Sequence, residues 1–276
     1  MIPKIFIEFS FSIEELEQET LIAFLSQFNF EGFWQENNFL KAYIEQQLWN
    51  EHSHIFLKEQ FPDLQFSITE IQNQDWNKEW EDSIEPILAT EKILVRPSWK
   101  EIENSDGKII ITIDPKMSFG TGHHETTRLM LQLMEKYVKP NDFVLDLGTG
   151  TGILAIAAIK LGATKCVAVD NDEWSIENTK ENVVVNNVEN AIDVFLGTLE
   201  TVSQNNFDVL LANIQSSIIL PILPLMISKI KPNGIILLSG LLKEEREKIL
   251  SSLSENSLHI IEEIGENEWI AFCCKL

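Results

Sequence analysis

The chain has 276 residues, 44% hydrophobic and 23% charged, a balance that supports one large globular domain or two smaller ones. With 43 acidic residues against 21 basic ones the formal net charge is −22, which opposes direct nucleic-acid binding and leaves two uses for the charge, solubility or attraction of a basic protein partner. No apolar run reaches membrane-spanning length, the start "MIPKIFIEFSFSIEE" lacks the marks of a secretory signal, and Cys166, Cys273 and Cys274 make neither a disulfide framework nor a four-cysteine zinc site; a cytoplasmic protein is expected, with no membrane association and no need to be more than a monomer.

In chain order, "KIFIEF" (4–9) alternates like a strand, and "SIEELEQETLIAFLSQF" (12–28) reads as a helix with Ser12 and Glu15 as a capping box. "FEGFWQEN" and "NFLKAYIE" read as two strands meeting near Asn37 and Asn38, "QQLWNEHSHIFLKEQF" as a helix stopped by Pro62, and "LQFSITEI" (64–71) as a strand. This β-α-β-β-α-β order predicts a small α+β ferredoxin-like domain over 1–72. It holds no glycine fingerprint and no acid/base set, and His52 and His54, two apart, read as surface residues. Residues 73–115 read as an aromatic-rich connector, in which Trp76, Trp80 and Trp99 are expected to pack on one or both domains.

From 116 to 276 helical and apolar strand segments alternate, which predicts an α/β, Rossmann-like, doubly wound sheet. Its central signal is "VLDLGTGTGILAIAA": an apolar strand ends in Asp146, glycines follow at 148, 150 and 152, and a helix starts at once. The spacing is neither that of a dinucleotide fingerprint nor that of a P-loop, and a leading carboxylate suits a positively charged ligand better than a pyrophosphate. "CVAVDND" places Asp170 at the end of the next strand, where a carboxylate can take both hydroxyls of a ribose; a turn acid or helix cap is the alternative, stronger for Asp172. "DVLLANIQ" ends on Asn213, whose side-chain carbonyl can orient an amine, or which is a plain turn asparagine. Ahead of the glycine loop, "MSFGTGHHETTRLML" carries Phe119, Gly120, His123, His124 and Glu125 into a helix whose N-terminus could hold a carboxylate. The two histidines and the glutamate are potential metal ligands, but adjacent side chains diverge and H-x-x-x-H spacing is absent, so no metal is expected.

Glycine loop, Asp170 and Asn213 together resemble class I S-adenosylmethionine-dependent methyltransferases. With "FGTGHHETT", "DW…W…P…PSW", "LLSGLLKEE" and a terminal "EW" strand, the chain from about Asp75 onward resembles the ribosomal protein L11 methyltransferase family. The family string G-T-H-P-T-T meets Gly122-His123-His124-Glu125-Thr126-Thr127 here, so His123 and Glu125 depart from it and their roles stay open. The resemblance implies an enzyme that methylates lysine side chains and the N-terminal amine of L11 several times over, with an N-terminal domain that recognises the ribosomal protein. It implies S-adenosylmethionine contacts at Thr127, Gly148, Asp170 and Asn213; Phe119, Gly120, Asp146, Gly150 and Gly152 complete the expected cofactor site. Asn213 is the expected catalytic residue, orienting the amine, and His124 a general base or a loop hydrogen-bonding group. The rivals are a methyltransferase of another basic protein or of a small molecule, and a non-catalytic cofactor-binding module. A glutamine or adenine amine methyltransferase would want Asn-Pro-Pro-aromatic where Asn213-Ile214-Gln215-Ser216 stands.

Overall fold

The computed structural model describes residues 6–30, 32–36, 38–62, 64–71, 84–102, 107–116 and 118–276. The chain forms two compact units, Met1–Ser83 and Ile84–Leu276.

In the first unit, β1 (Phe6–Ser12), α1 (Glu15–Leu25), β2 (Gly32–Glu36), β3 (Phe39–Glu45), α2 (Glu51–Gln60) and β4 (Gln65–Ile71) follow the expected order. The strands form an antiparallel sheet ordered β2-β3-β1-β4. Alternation in β1 sends Ile7, Phe9 and Phe11 into a core shared with Leu21 and Leu25 of α1 and Leu57 of α2. Phe9 is its centre, with the Phe11, Phe30, Trp49 and Phe66 rings all within 6 Å of it. Asn50 caps α2 by accepting the Ser53 N–H at 3.0 Å. The expected Ser12 cap does not form. Ser12 is still strand, paired with Phe39 and Gln65, so α1 starts after Glu14, whose side chain makes no capping bond. His54 is not a plain surface residue either, since its ring packs edge-on against Phe66 at 5.6 Å and Trp49 at 6.3 Å.

The second unit opens with a three-stranded sheet of β5 (Ile87–Leu88), β6 (Ile93–Arg96) and β7 (Ile109–Thr112). The stretch read as connector therefore supplies these strands from Ile87 on. Trp99 is 39% exposed and belongs to no core, while Trp76 and Trp80 lie outside the described residues. There follow α3 (Glu125–Tyr137), β8 (Phe143–Leu147), α4 (Ile153–Lys160), β9 (Lys165–Asp170), α5 (Glu173–Val185), β10 (Ile192–Leu196), β11 (Phe207–Asn213), α6 (Ser216–Lys229), β12 (Ile230–Leu242), α7 (Arg246–Glu255), β13 (His259–Glu266) and β14 (Trp269–Lys275).

These strands build one seven-stranded sheet ordered β10-β9-β8-β11-β12-β14-β13, parallel except for β14, which runs antiparallel to both neighbours. Successive residues of β8 feed two cores. Val144 packs with Leu129, Met130 and Ile156 of α3 and α4, whereas Leu145 and Leu147 pack with Ile219, Leu223 and Ile249 of α6 and α7. Burial on both faces explains why the strands read as apolar runs. Chain order reverses between β8 and β11, and the crevice at the carboxyl ends of strands around such a switch point is where open α/β sheets take ligands.

Candidate active site

The loop after β8 is held from three sides. Gly150 has φ +57, and a Cβ there would lie 2.3 Å from the Phe119 carbonyl oxygen, so glycine is required by both conformation and space. The Thr151 N–H donates to that carbonyl at 2.9 Å, and the Thr151 hydroxyl donates to the Gly120 carbonyl at 2.7 Å. The Thr179 hydroxyl of α5 donates to the Gly150 carbonyl at 2.8 Å. The segment carrying Phe119 and Gly120 is thereby fastened to the glycine loop.

Asp170 ends β9. Its Oδ2 accepts the Gly150 N–H at 2.9 Å and its Oδ1 accepts the Asp172 N–H at 3.1 Å, which leaves further lone pairs for a ligand. Asp172 caps α5 through the Ser175 N–H, as its alternative reading had it. Asp146 differs from its expected place. It is fully buried beneath the loop, where its Oδ2 accepts from the Thr149 hydroxyl at 2.7 Å and the Ala155 N–H at 3.2 Å. Burial pushes its carboxyl up to about 7, against the pull of those two donors. It braces the loop and lines neither of the two hollows described below; Thr127 and Gly152 lie behind their walls in the same way.

Over this crevice lies a cavity of about 430 Å³, walled by Gly148, Gly150, Asp170 and Asn213 on one side and by Phe119, His124 and Trp269 on another. A second hollow of about 250 Å³ shares Gly148, Asp170 and Ile214 with it and continues past Leu199 and Ile222. The Asn213 Oδ1, at the end of β11, is buried without a hydrogen-bond partner among the described residues, as is the Thr127 hydroxyl. A buried carbonyl at a cavity wall is a receptor for a donor that a ligand brings.

His124 caps α3. Its Nδ1 lies 2.9 Å from the Thr126 hydroxyl and accepts the Thr126 N–H at 3.3 Å. A neutral ring accepting at Nδ1 carries its proton on Nε2, so no lone pair is left to take a proton from an amine. This favours the hydrogen-bonding reading of His124 over the general base. The same cap, with the His124 carbonyl, engages the N–H groups of Thr126 and Thr127 that were expected to hold a carboxylate. The His124 ring sits between Phe119 at 5.2 Å and Trp269 at 5.0 Å, both in edge contact.

Three parts of this arrangement were missed in the sequence. Trp269 was visible only as part of a terminal "EW". Gly240, φ +78, lets the end of β12 pass Ile214, whose backbone would lie within 3.0 Å of a Cβ there. Asn178, Asn182 and Asn186 form a ladder along α5: Asn186 exchanges two bonds with Thr112, Asn182 Oδ1 accepts the Asp114 N–H at 2.9 Å, and Asn178 Nδ2 donates to the Asp114 carbonyl at 2.9 Å. Asn182 Nδ2 also donates to the Thr151 carbonyl at 2.9 Å, tying the strap at 112–116 to the glycine loop. The signal was asparagine at every fourth position, a polar stripe on a helix that had to be packed.

Residues 7–276 match the family model described as Ribosomal protein L11 methyltransferase (PrmA). The chain belongs to that family. A ribosomal protein L11 methyltransferase of Chlorobaculum tepidum is 36% identical over 96% of this chain and 94% of its own length. The one of Acetivibrio thermocellus is 39% identical over 73% of this chain, but that match spans 64% of its own length, under two thirds. The crystal structure of a ribosomal protein L11 methylase from Lactobacillus delbrueckii subsp. bulgaricus superimposes with a TM-score of 0.64 at 31% identity, covering 70% of this chain and 98% of that one. Fold class, family and enzyme class, an S-adenosylmethionine-dependent protein methyltransferase, are those that the motifs and layout led us to expect. Among the described residues no helix is long and apolar enough to cross a membrane.

Proposed function

We propose that this protein transfers methyl groups from S-adenosylmethionine to lysine side-chain amines and the N-terminal amine of ribosomal protein L11, in the cytoplasm, and that the paired hollows at the β8/β11 switch point are where it does so. The observation that carries this reading is the Asn213 carbonyl, buried and unpartnered where Asp170, the glycine loop and the aromatic wall converge.

The residues fit the cofactor by chemistry. Asp170 has acceptor capacity for a ribose diol, and Leu199 and Ile222 suit a flat base. When bound, S-adenosylmethionine supplies an electrophilic methyl carbon on a sulfonium. What the chain must then do is present a neutral amine. A free lysine titrates near 10.4, and the Phe119 and Trp269 rings disfavour its charged form by excluding water. Asn213 Oδ1 accepts an N–H of the amine and fixes the direction of the nitrogen lone pair, so positioning supplies most of the rate. Asn213 and His124 are not strong bases, and the displaced proton leaves to solvent. We assign residues 1–72 to recognition of the ribosomal protein and the unit Ile84–Leu276, which includes the β5–β7 sheet of the expected connector, to chemistry, with the acidic surface suiting a basic partner and the chain acting as a monomer.

Intact-protein mass measurement of unmethylated L11 after incubation with the protein and S-adenosylmethionine tests this. A ladder of methyl increments is expected. An unchanged mass, with cofactor binding confirmed by calorimetry, would discard L11 as substrate, and no transfer to any basic protein would favour a binding module.

A further inference from the structure

Glu125 departs from the string that the family resemblance supplied, and Arg128 belongs to no motif. Both sit at the start of α3, outside the cavity wall. The Arg128 side chain is only 17% exposed and reaches two separate segments. Its Nη1 donates to the His123 carbonyl, immediately before His124. Its Nε donates to Glu266 Oε2 at 3.2 Å and its Nη2 to Glu266 Oε1, a fork on one carboxylate. Glu125 completes the join, with Oε1 accepting from Asn267 Nδ2 at 2.9 Å while its carboxylate lies 3.8 Å from Arg128 Nη2. Its own backbone N–H, and then the Asn267 amide, hold the Glu125 carboxyl below its ordinary range, so the network keeps its charge at neutral pH.

Glu266 ends β13 and pairs with Trp269 across the two-residue turn to β14, in which Asn267 takes a left-handed conformation, φ +48. Trp269 is therefore the first residue after that turn, and its ring meets His124, the first residue after the carbonyl that Arg128 holds. The same guanidinium thus holds the residue before His124 and the residue paired across the turn with Trp269. We infer that Arg128 is a positioning residue for this wall: it holds the His123–His124 loop and the β13–β14 turn in the register that keeps the His124 and Trp269 rings in contact. The inference rests on the methyl-transfer reading of the cavity. It acts on the amine side only, because none of Gly148, Gly150 or Asp170 touches the network. A lysine cannot replace it, since one ammonium cannot fork onto Glu266 while also reaching the His123 carbonyl.

The test uses the full chain, with Arg128→Met and Arg128→Lys, each alone and combined with Trp269→Ala. Transfer to L11 is followed by mass, affinity for S-adenosylhomocysteine by calorimetry, and ring placement by the indole ¹H–¹⁵N resonance of Trp269, assigned with Trp269→Phe. Arg128→Met is expected to lower kcat roughly tenfold or more. Affinity for S-adenosylhomocysteine should stay within about twofold. The Trp269 resonance moves, lysine does not restore it, and the kcat effect disappears once Trp269 is alanine. An equal kcat loss in both backgrounds, or an unmoved Trp269 resonance, overturns the inference. Should Arg128→Met not fold, Glu266→Gln keeps the arginine and is expected to act in the same direction. Absence of transfer by the unsubstituted protein would count against the functional reading, while the indole resonance would still decide the positioning role.

Discussion

On the β8–β9 flank of the cavity, a ligand meets main chain: glycines in left-handed conformations, their N–H groups, and one carboxylate that accepts from Gly150. On the α3–β14 flank it meets side chains, with the Phe119, His124 and Trp269 rings placed by a capping imidazole, a guanidinium and a two-residue turn. The first flank is local in sequence and rigid because its geometry leaves no alternative. The second is assembled from segments 138 residues apart and depends on every link. A cofactor shared across many reactions suits the first kind of wall, and an acceptor that must be discriminated suits the second.

The sharpest break between the two flanks comes at Gly150. Alanine there must leave a left-handed conformation and displace the Phe119 carbonyl, and affinity for S-adenosylhomocysteine by calorimetry should fall roughly 100-fold. Asn182→Leu tests what binds the flanks together. It strands the Asp114 N–H and the Thr151 carbonyl, and urea unfolding should show a loss of about 2–4 kcal/mol, with kcat falling as well. A pH-dependent effect lies under the loop. The Asp146 carboxyl is raised to about 7 in the folded chain from near 3.9 in the unfolded one, so the folded state binds the extra proton between those values. Its contribution to stability therefore falls as pH rises from 4 to 7 and is flat above. Asp146→Asn should remove that decline in a comparison of unfolding midpoints across pH. Parallel curves for the two proteins would show that Asp146 titrates as an ordinary carboxylate.

What could be read in the sequence follows the same division. The Gly148–Gly152 loop, Asp170 and Asn213 were legible because strand-end positions and obligatory glycines are fixed by a few consecutive residues. The strand and helix order was legible in both units because apolar periodicity reports burial directly. The Ser12 cap failed because pairing to β3 and β4 extended β1 over a residue with good capping chemistry. Asp146 looked like a ligand because a motif shows that an acid is present without showing which way it turns. Trp269 and Arg128 were silent because their roles exist only after β13 and β14 have paired and brought their turn to α3. The Asn178–Asn182–Asn186 ladder was visible as a spacing, but its partners at 112–116 are backbone groups with no side-chain signature.

The separability of the two roles is tested most directly at Asn213, which walls the cavity beside Gly148, Gly150 and Asp170 and, under the proposed function, orients the acceptor amine. On one preparation of Asn213→Ala, S-adenosylhomocysteine affinity is measured by calorimetry and methyl transfer to L11 by intact mass. Affinity within about twofold of the unsubstituted protein, with transfer slowed roughly 100-fold or more, is the predicted result. Unchanged transfer, or affinity and transfer falling together, would contradict it.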